Sequence, residues 1–160
     1  VTPEFFDEVQ QWYVVFTKRR VSRCHPVQRL LHPAFSHVYL MRERRDGGTL
    51  VIDPLKWGMA VQYVEMNFEE ALLRAAQVST AMLGYTADYR RSSNHFVLRG
   101  PFNCVTAVKA ILGLRCWALT PRALYKRLLT SEFTTPVRIH DAKDTESLTC
   151  RHCGAGNMRA

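Results

Sequence analysis

Residues 36–53 read SHVYLMRERRDGGTLVID, and this stretch decides the fold. Its opening part, 36–43, is β-branched, aromatic and aliphatic, as a strand wants. Its closing part, 49–53 (TLVID), has the same character. Between them stands Arg45-Asp46-Gly47-Gly48, and an Asp-Gly pair tolerates the positive φ of a tight hairpin turn. The stretch therefore reads as two antiparallel strands. With the turn centred on Asp46-Gly47, residue 53 falls opposite about residue 40.

Working outward, residues 12–20 (WYVVFTKRR) read as an earlier strand ending in positive charge. Residues 2–11 (TPEFFDEVQQ) read as a short helix or lead-in, with Pro3 near its start. Between 22 and 35, prolines 26 and 33 block a long helix. On the other side, Pro54 is expected to end the returning strand, and 60–66 (AVQYVEM) supply a further one. From Asn67 the period changes. Asn67 suits an N-cap, Glu69 and Glu70 suit a first turn, and Gly84 suits a stop. Leu72, Ala75, Ala76, Ser79 and Leu83 would form the core stripe of that helix. Residues 86–98 stay open between strand and loop. A second helix is expected over 104–115, with Val105, Val108, Ile111 and Leu112 on one face. A third starts at Thr120-Pro121 and runs to about Leu129. From Thr134 the composition turns polar. The expected organisation is one domain over 1–133 and an extended tail over 134–160. Strands followed by helices give an α+β fold with an antiparallel sheet packed against helices.

The chain has 160 residues, 47% hydrophobic and 22% charged. That length buries roughly 70% of the unfolded surface, enough for a core without staples, and the apolar share is too high for disorder. No apolar run approaches the ~18–20 residues of a membrane helix, so no membrane span is expected. The acidic, polar opening VTPEFFDEVQQ has no charged-then-apolar leader, so cytoplasmic synthesis is expected. Five cysteines, at 24, 104, 116, 150 and 153, are odd in number and irregularly spaced, which argues against a disulfide framework and for a reducing compartment. Cys150, His152 and Cys153 lack the fourth ligand a structural zinc wants, so they read as tail. His25 and His32 each precede a proline and have no metal spacing. His140 reads as solvent-exposed. No metal and no cofactor are expected.

Lys and Arg number 22 against 14 acids, a net charge of +8. Such a surface attracts polyanions. Lys18 to Arg23 and Arg42 to Arg45 are its densest clusters. Trp12, Tyr13 and Tyr39 lie near them in sequence and could stack on bases; ordinary strand packing is the competing reading of the same aromatics.

Cys104 is the residue with most chemistry in it. It follows Gly-Pro-Phe-Asn and opens the apolar helix, where the macrodipole and free N–H groups favour thiolate, the nucleophilic form. The same N–H groups can hold an oxyanion. A small residue packed under the helix is the alternative. A cysteine nucleophile needs a base, and the base needs an orienting acceptor. His37, beside Ser36 at a strand start, suits the base, with His95 as its rival. Asp53, on the neighbouring strand, suits the orienter, although Asp-Pro also simply ends strands. Asn103 suits either an oxyanion donor or a helix cap.

The order of these features (His37-Val38-Tyr39 on a strand, a hairpin, a strand reaching Asp53-Pro54, a helix, then Asn103-Cys104-Val105 at a helix start) resembles the circularly permuted papain-like hydrolases. These include permuted relatives of the NlpC-type cell-wall peptidases and the lecithin–retinol acyltransferase-like group. The resemblance spans roughly Tyr13 to Leu114. It implies Cys104 as nucleophile, His37 as base and Asp53 as the third residue. The segment ALTPRALYKRLL (118–129) is similar in style to small basic proteins of tailed bacteriophages. The expectation is a cysteine-dependent hydrolase or acyltransferase of amide or ester bonds, acting as a phage-associated peptidoglycan peptidase. The alternatives are an inactive virion component on the same fold, its tail wrapped on other virion proteins, and a basic nucleic-acid-binding module.

Overall fold

The computed structural model describes residues 9–18, 32–55, 58–89 and 103–137. The chain forms β1 (Val9–Thr17), β2 (His37–Glu43), β3 (Thr49–Leu55), β4 (Gly58–Val64), α1 (Phe68–Val78), β5 (Ser79–Asp88), α2 (Cys104–Ile111), α3 (Pro121–Leu129) and β6 (Thr134–Pro136). All six strands join one antiparallel sheet in the order β4-β3-β2-β1-β5-β6. The fold is α+β. No helix among the described residues is long and apolar enough to cross a membrane.

The hairpin of residues 37–55 forms as its turn residues dictate. Gly47 takes φ 80°, Arg44 N–H donates to Gly48 O, and Gly48 N–H donates to Asp46 Oδ1 at 3.1 Å. Only glycine holds that φ without strain. Beyond the turn the ladder pairs Glu43 with Thr49 and ends at Leu40 with Ile52.

Strand alternation sorts the core onto two faces. On one face Trp12, Val14, Phe16, Val38, Leu40 and Ile52 meet Val105 and Val108 of α2 and Leu124 and Leu128 of α3. On the other, Val15, Met41 and Met82 meet Ala71 and Ala75 of α1. Each helix has its cap. Asn67 Oδ1 accepts from Glu69 N–H, Asn103 and Thr106 bond reciprocally, and Thr120 Oγ1 accepts from Ala123 N–H ahead of Pro121.

Several expected boundaries move. The first strand begins at Val9, so Gln10 and Gln11 of the expected lead-in belong to the sheet. Pro54 does not end β3: it is buried within the strand and pairs with Met59. The ladder to β2 has stopped two residues earlier, so its missing N–H forfeits no bond on that side. The largest correction concerns the first helix. It stops at Val78, where Ser79 turns extended (ψ 155°) and its hydroxyl donates to Ala76 O. Residues 79–88, expected to be its last turns and then an open segment, are β5, which lies inside the sheet between β1 and β6. Ser79 and Leu83 therefore belong to a strand, and the helix buries Phe68, Ala71 and Ala75 instead. The second helix ends at Ile111, and Gly113 takes φ 67° just beyond. The first residues of the expected tail, Thr134–Pro136, pair with β5.

Candidate active site

Three elements meet at one end of the sheet. His37 is the first residue of β2, Asp53 lies near the end of β3, and Cys104 is the first residue of α2, which packs across β2 and β3. Register decides which face the carboxylate takes. Leu40 pairs with Ile52, so the next position along β3, Asp53, emerges on the face of Tyr39 and His37.

His37 Nε2 and Asp53 Oδ1 are 2.6 Å apart. The two side chains are similarly accessible, 32% and 33% exposed, so the pair is half-buried. The Cys104 side chain interacts with the same imidazole and helps to hold its proton. Burial pulls the His37 pKa down, but the bond to Asp53, the interaction with Cys104 and the negative charge of Asp53 more than reverse this, and it is raised to about 9. The ring is therefore cationic at neutral pH and donates to Asp53.

The cysteine is held in place from below. Asn103 Oδ1 accepts from Thr106 N–H at 2.9 Å, and Thr106 Oγ1 accepts from Asn103 N–H at 3.0 Å. This capping box fixes the first turn of α2, and with it the Cys104 backbone. Val105 beside it is buried, while Cys104 is half-buried at the edge of the core.

Tyr39 is the neighbour that sequence reasoning left out of the site. Its ring stacks on that of His37, with centroids 6.4 Å apart and planes 27° from parallel. Burial and the charge of Asp53 push its phenol up to about 12, which keeps it a neutral hydroxyl at working pH. The available signal was its position two residues after His37, on the same strand face.

The other sequence-derived residues fall elsewhere. Asn103 takes the capping role, its carbonyl oxygen bonded to the helix. Ser36 donates its hydroxyl to Thr17 O at 3.3 Å, tying the start of β2 to β1 rather than touching the ring. His32 accepts from Ala34 N–H and packs on Phe35. Cys24, His25, His95, His140, Cys150, His152 and Cys153 lie outside the described residues, as do Arg19 to Arg23. The expected base-stacking aromatics are engaged in the fold. Trp12 is buried beneath the Arg42 guanidinium, Tyr13 meets Phe68 edge-on at 5.2 Å, and Tyr39 lies against His37.

Comparison of this chain with protein-family models, with curated proteins and with solved structures gives no match.

Proposed function

We propose that this protein is a cysteine-dependent hydrolase or acyltransferase of amide or ester bonds, built on a permuted papain-like fold. One observation carries the reading: a single imidazole bonds a carboxylate at 2.6 Å and interacts with the thiol that opens a helix. A histidine held only for packing needs one such partner. Two partners of opposite roles, acceptor and nucleophile, are what an activated cysteine requires. The arrival of His from an early strand and Cys from a later helix matches the order of the permuted group.

The chemistry follows from the geometry. In the reacting form the thiol proton already sits on the cationic His37 ring, and Cys104 Sγ forms a bond to the carbonyl carbon of the substrate. Asp53 keeps the ring oriented and stabilises its charge. The carbonyl oxygen becomes an oxyanion, met by the Cys104 and Val105 N–H groups that open α2. The C–N or C–O bond then breaks, and His37 returns its proton to the leaving amine or alcohol. Water, or a second acyl acceptor, attacks the thioester and restores the thiol. Peptidoglycan stem peptides are the proposed substrate, and assembly into a bacteriophage particle the proposed setting; both rest on the family resemblance and the basic charge. The test is turnover of stem-peptide and acyl-ester substrates by the wild type and by Cys104→Ala. Turnover must vanish in the variant; activity that survives removes the mechanism.

A further inference from the structure

At the far end of α2 from Cys104 the surface changes character. Residues 114–120 join α2 to α3 without helix or strand, and alternate positions are exposed. Arg115, Trp117 and Leu119 are exposed, whereas Ala118 between them is buried. Trp117 is 97% exposed and Leu119 71%. A tryptophan with almost its whole surface in water forfeits a large burial free energy, and among the described residues this side chain has no packing partner. On α3, Arg122, Lys126 and Leu129 are exposed at helical spacing and form one outward stripe. Arg115 and Arg127 border the same open cleft, with Phe133 and one carboxylate, Glu132, and Arg122 follows Leu119 by only three residues, so the segment and the start of the helix adjoin. From 104 to 131 the sequence holds five cations (Lys109, Arg115, Arg122, Lys126 and Arg127) and no acid.

We propose that this surface docks on an anionic phospholipid bilayer, with Trp117 and Leu119 entering the headgroup region and Arg115, Arg122 and Lys126 meeting lipid phosphates. Tryptophan prefers that interface because it joins an apolar body to one polar N–H. Clustered Lys and Arg gain from the negative potential of the leaflet. A nucleic acid would also take the cations and stack on Trp117, but it gives the outward Leu119 nothing to bury against. The patch and Cys104 stand at opposite ends of α2, roughly 12 Å apart along its axis. Docking therefore leaves the thiol clear, and the inference stands whether or not that thiol is catalytic.

Co-sedimentation of the full chain with phosphatidylcholine vesicles, with and without about one-third phosphatidylglycerol, tests it. The wild type should sediment with the anionic vesicles only, less so as salt rises, and its tryptophan emission should shift to the blue. Trp117→Ser should weaken this partition by about tenfold, and so should Arg122→Ser with Lys126→Ser. Circular dichroism and melting of both variants, unchanged from wild type, exclude misfolding as the cause. Absence of binding to anionic vesicles overturns the proposal, and so does binding that Trp117→Ser leaves intact. Retention on a single-stranded oligonucleotide without vesicle binding overturns it in favour of nucleic acid.

Discussion

Asp53 shares a sheet face with His37 because Leu40 pairs with Ile52 rather than with Asp53. A register one residue longer would set Asp53 opposite Leu40 and turn its carboxylate to the opposite face of the sheet. The 2.6 Å contact thus depends on the turn at Gly47, some 20 Å of strand away, as much as on the two residues that make it.

Replacing that carboxylate isolates its role. Asp53→Asn keeps the shape of a half-buried side chain but offers the imidazolium no charge. Turnover should fall by about 10²–10⁴, the range lost when a catalytic histidine loses its orienter. The His37 pKa should fall as well, since the Asp53 bond is among the causes that raise it. Steady-state kinetics and ring titration check the two effects separately. Unchanged turnover would make the pair a structural contact.

Tyr39 should act by position. Tyr39→Phe keeps the stacked ring and should leave kcat within about threefold, whereas Tyr39→Leu frees the imidazole and should lower kcat by about tenfold with little change in KM. Equal losses in both variants would move the role from the ring to the hydroxyl.

The cap of α2 links stability to the site. Asn103→Ala removes one half of the capping box and should cost about 1 kcal/mol of stability. It should also slow alkylation of Cys104 by iodoacetamide, because the first turn loses its anchor. Thermal denaturation and labelling rates measure both. Loss of stability without loss of labelling would confine Asn103 to the fold.

Stability should depend on pH through His37. Its folded pKa, about 9, exceeds the ordinary 6.5 of the unfolded chain. The folded state therefore binds the proton more tightly, and this contribution is full below pH 6.5 and lost as pH rises through about 9. Melting temperatures of the wild type should converge on those of His37→Gln between these limits. Activity should decline through the same upper limit, because the leaving group needs the proton His37 carries.

Much of the site was legible in the sequence because its parts are local signals. Asp46-Gly47 announces a turn, Asn103-Cys104 a helix start, and Thr120-Pro121 another. The central strand β5 was hidden by its own burial. Met82, Leu83, Gly84 and Tyr85 are all buried, so the strand shows no alternation. Ala75, Ser79 and Leu83 meanwhile fit a helical spacing that continues α1. A three-residue strand such as β6 carries too little sequence to show any period. Pro54 misled in the same way: its legitimacy inside β3 depends on where the β2 ladder stops, a property of the partner strand.

The central claim is that Cys104, His37 and Asp53 act as one proton-sharing unit, and titration of the His37 ring by NMR addresses it most directly. The account predicts a pKa near 9 in the wild type and a clear fall in Cys104→Ala, where the sulfur no longer acts on the ring. A ring that titrates near 6.5 in both proteins, indifferent to the sulfur, would contradict it.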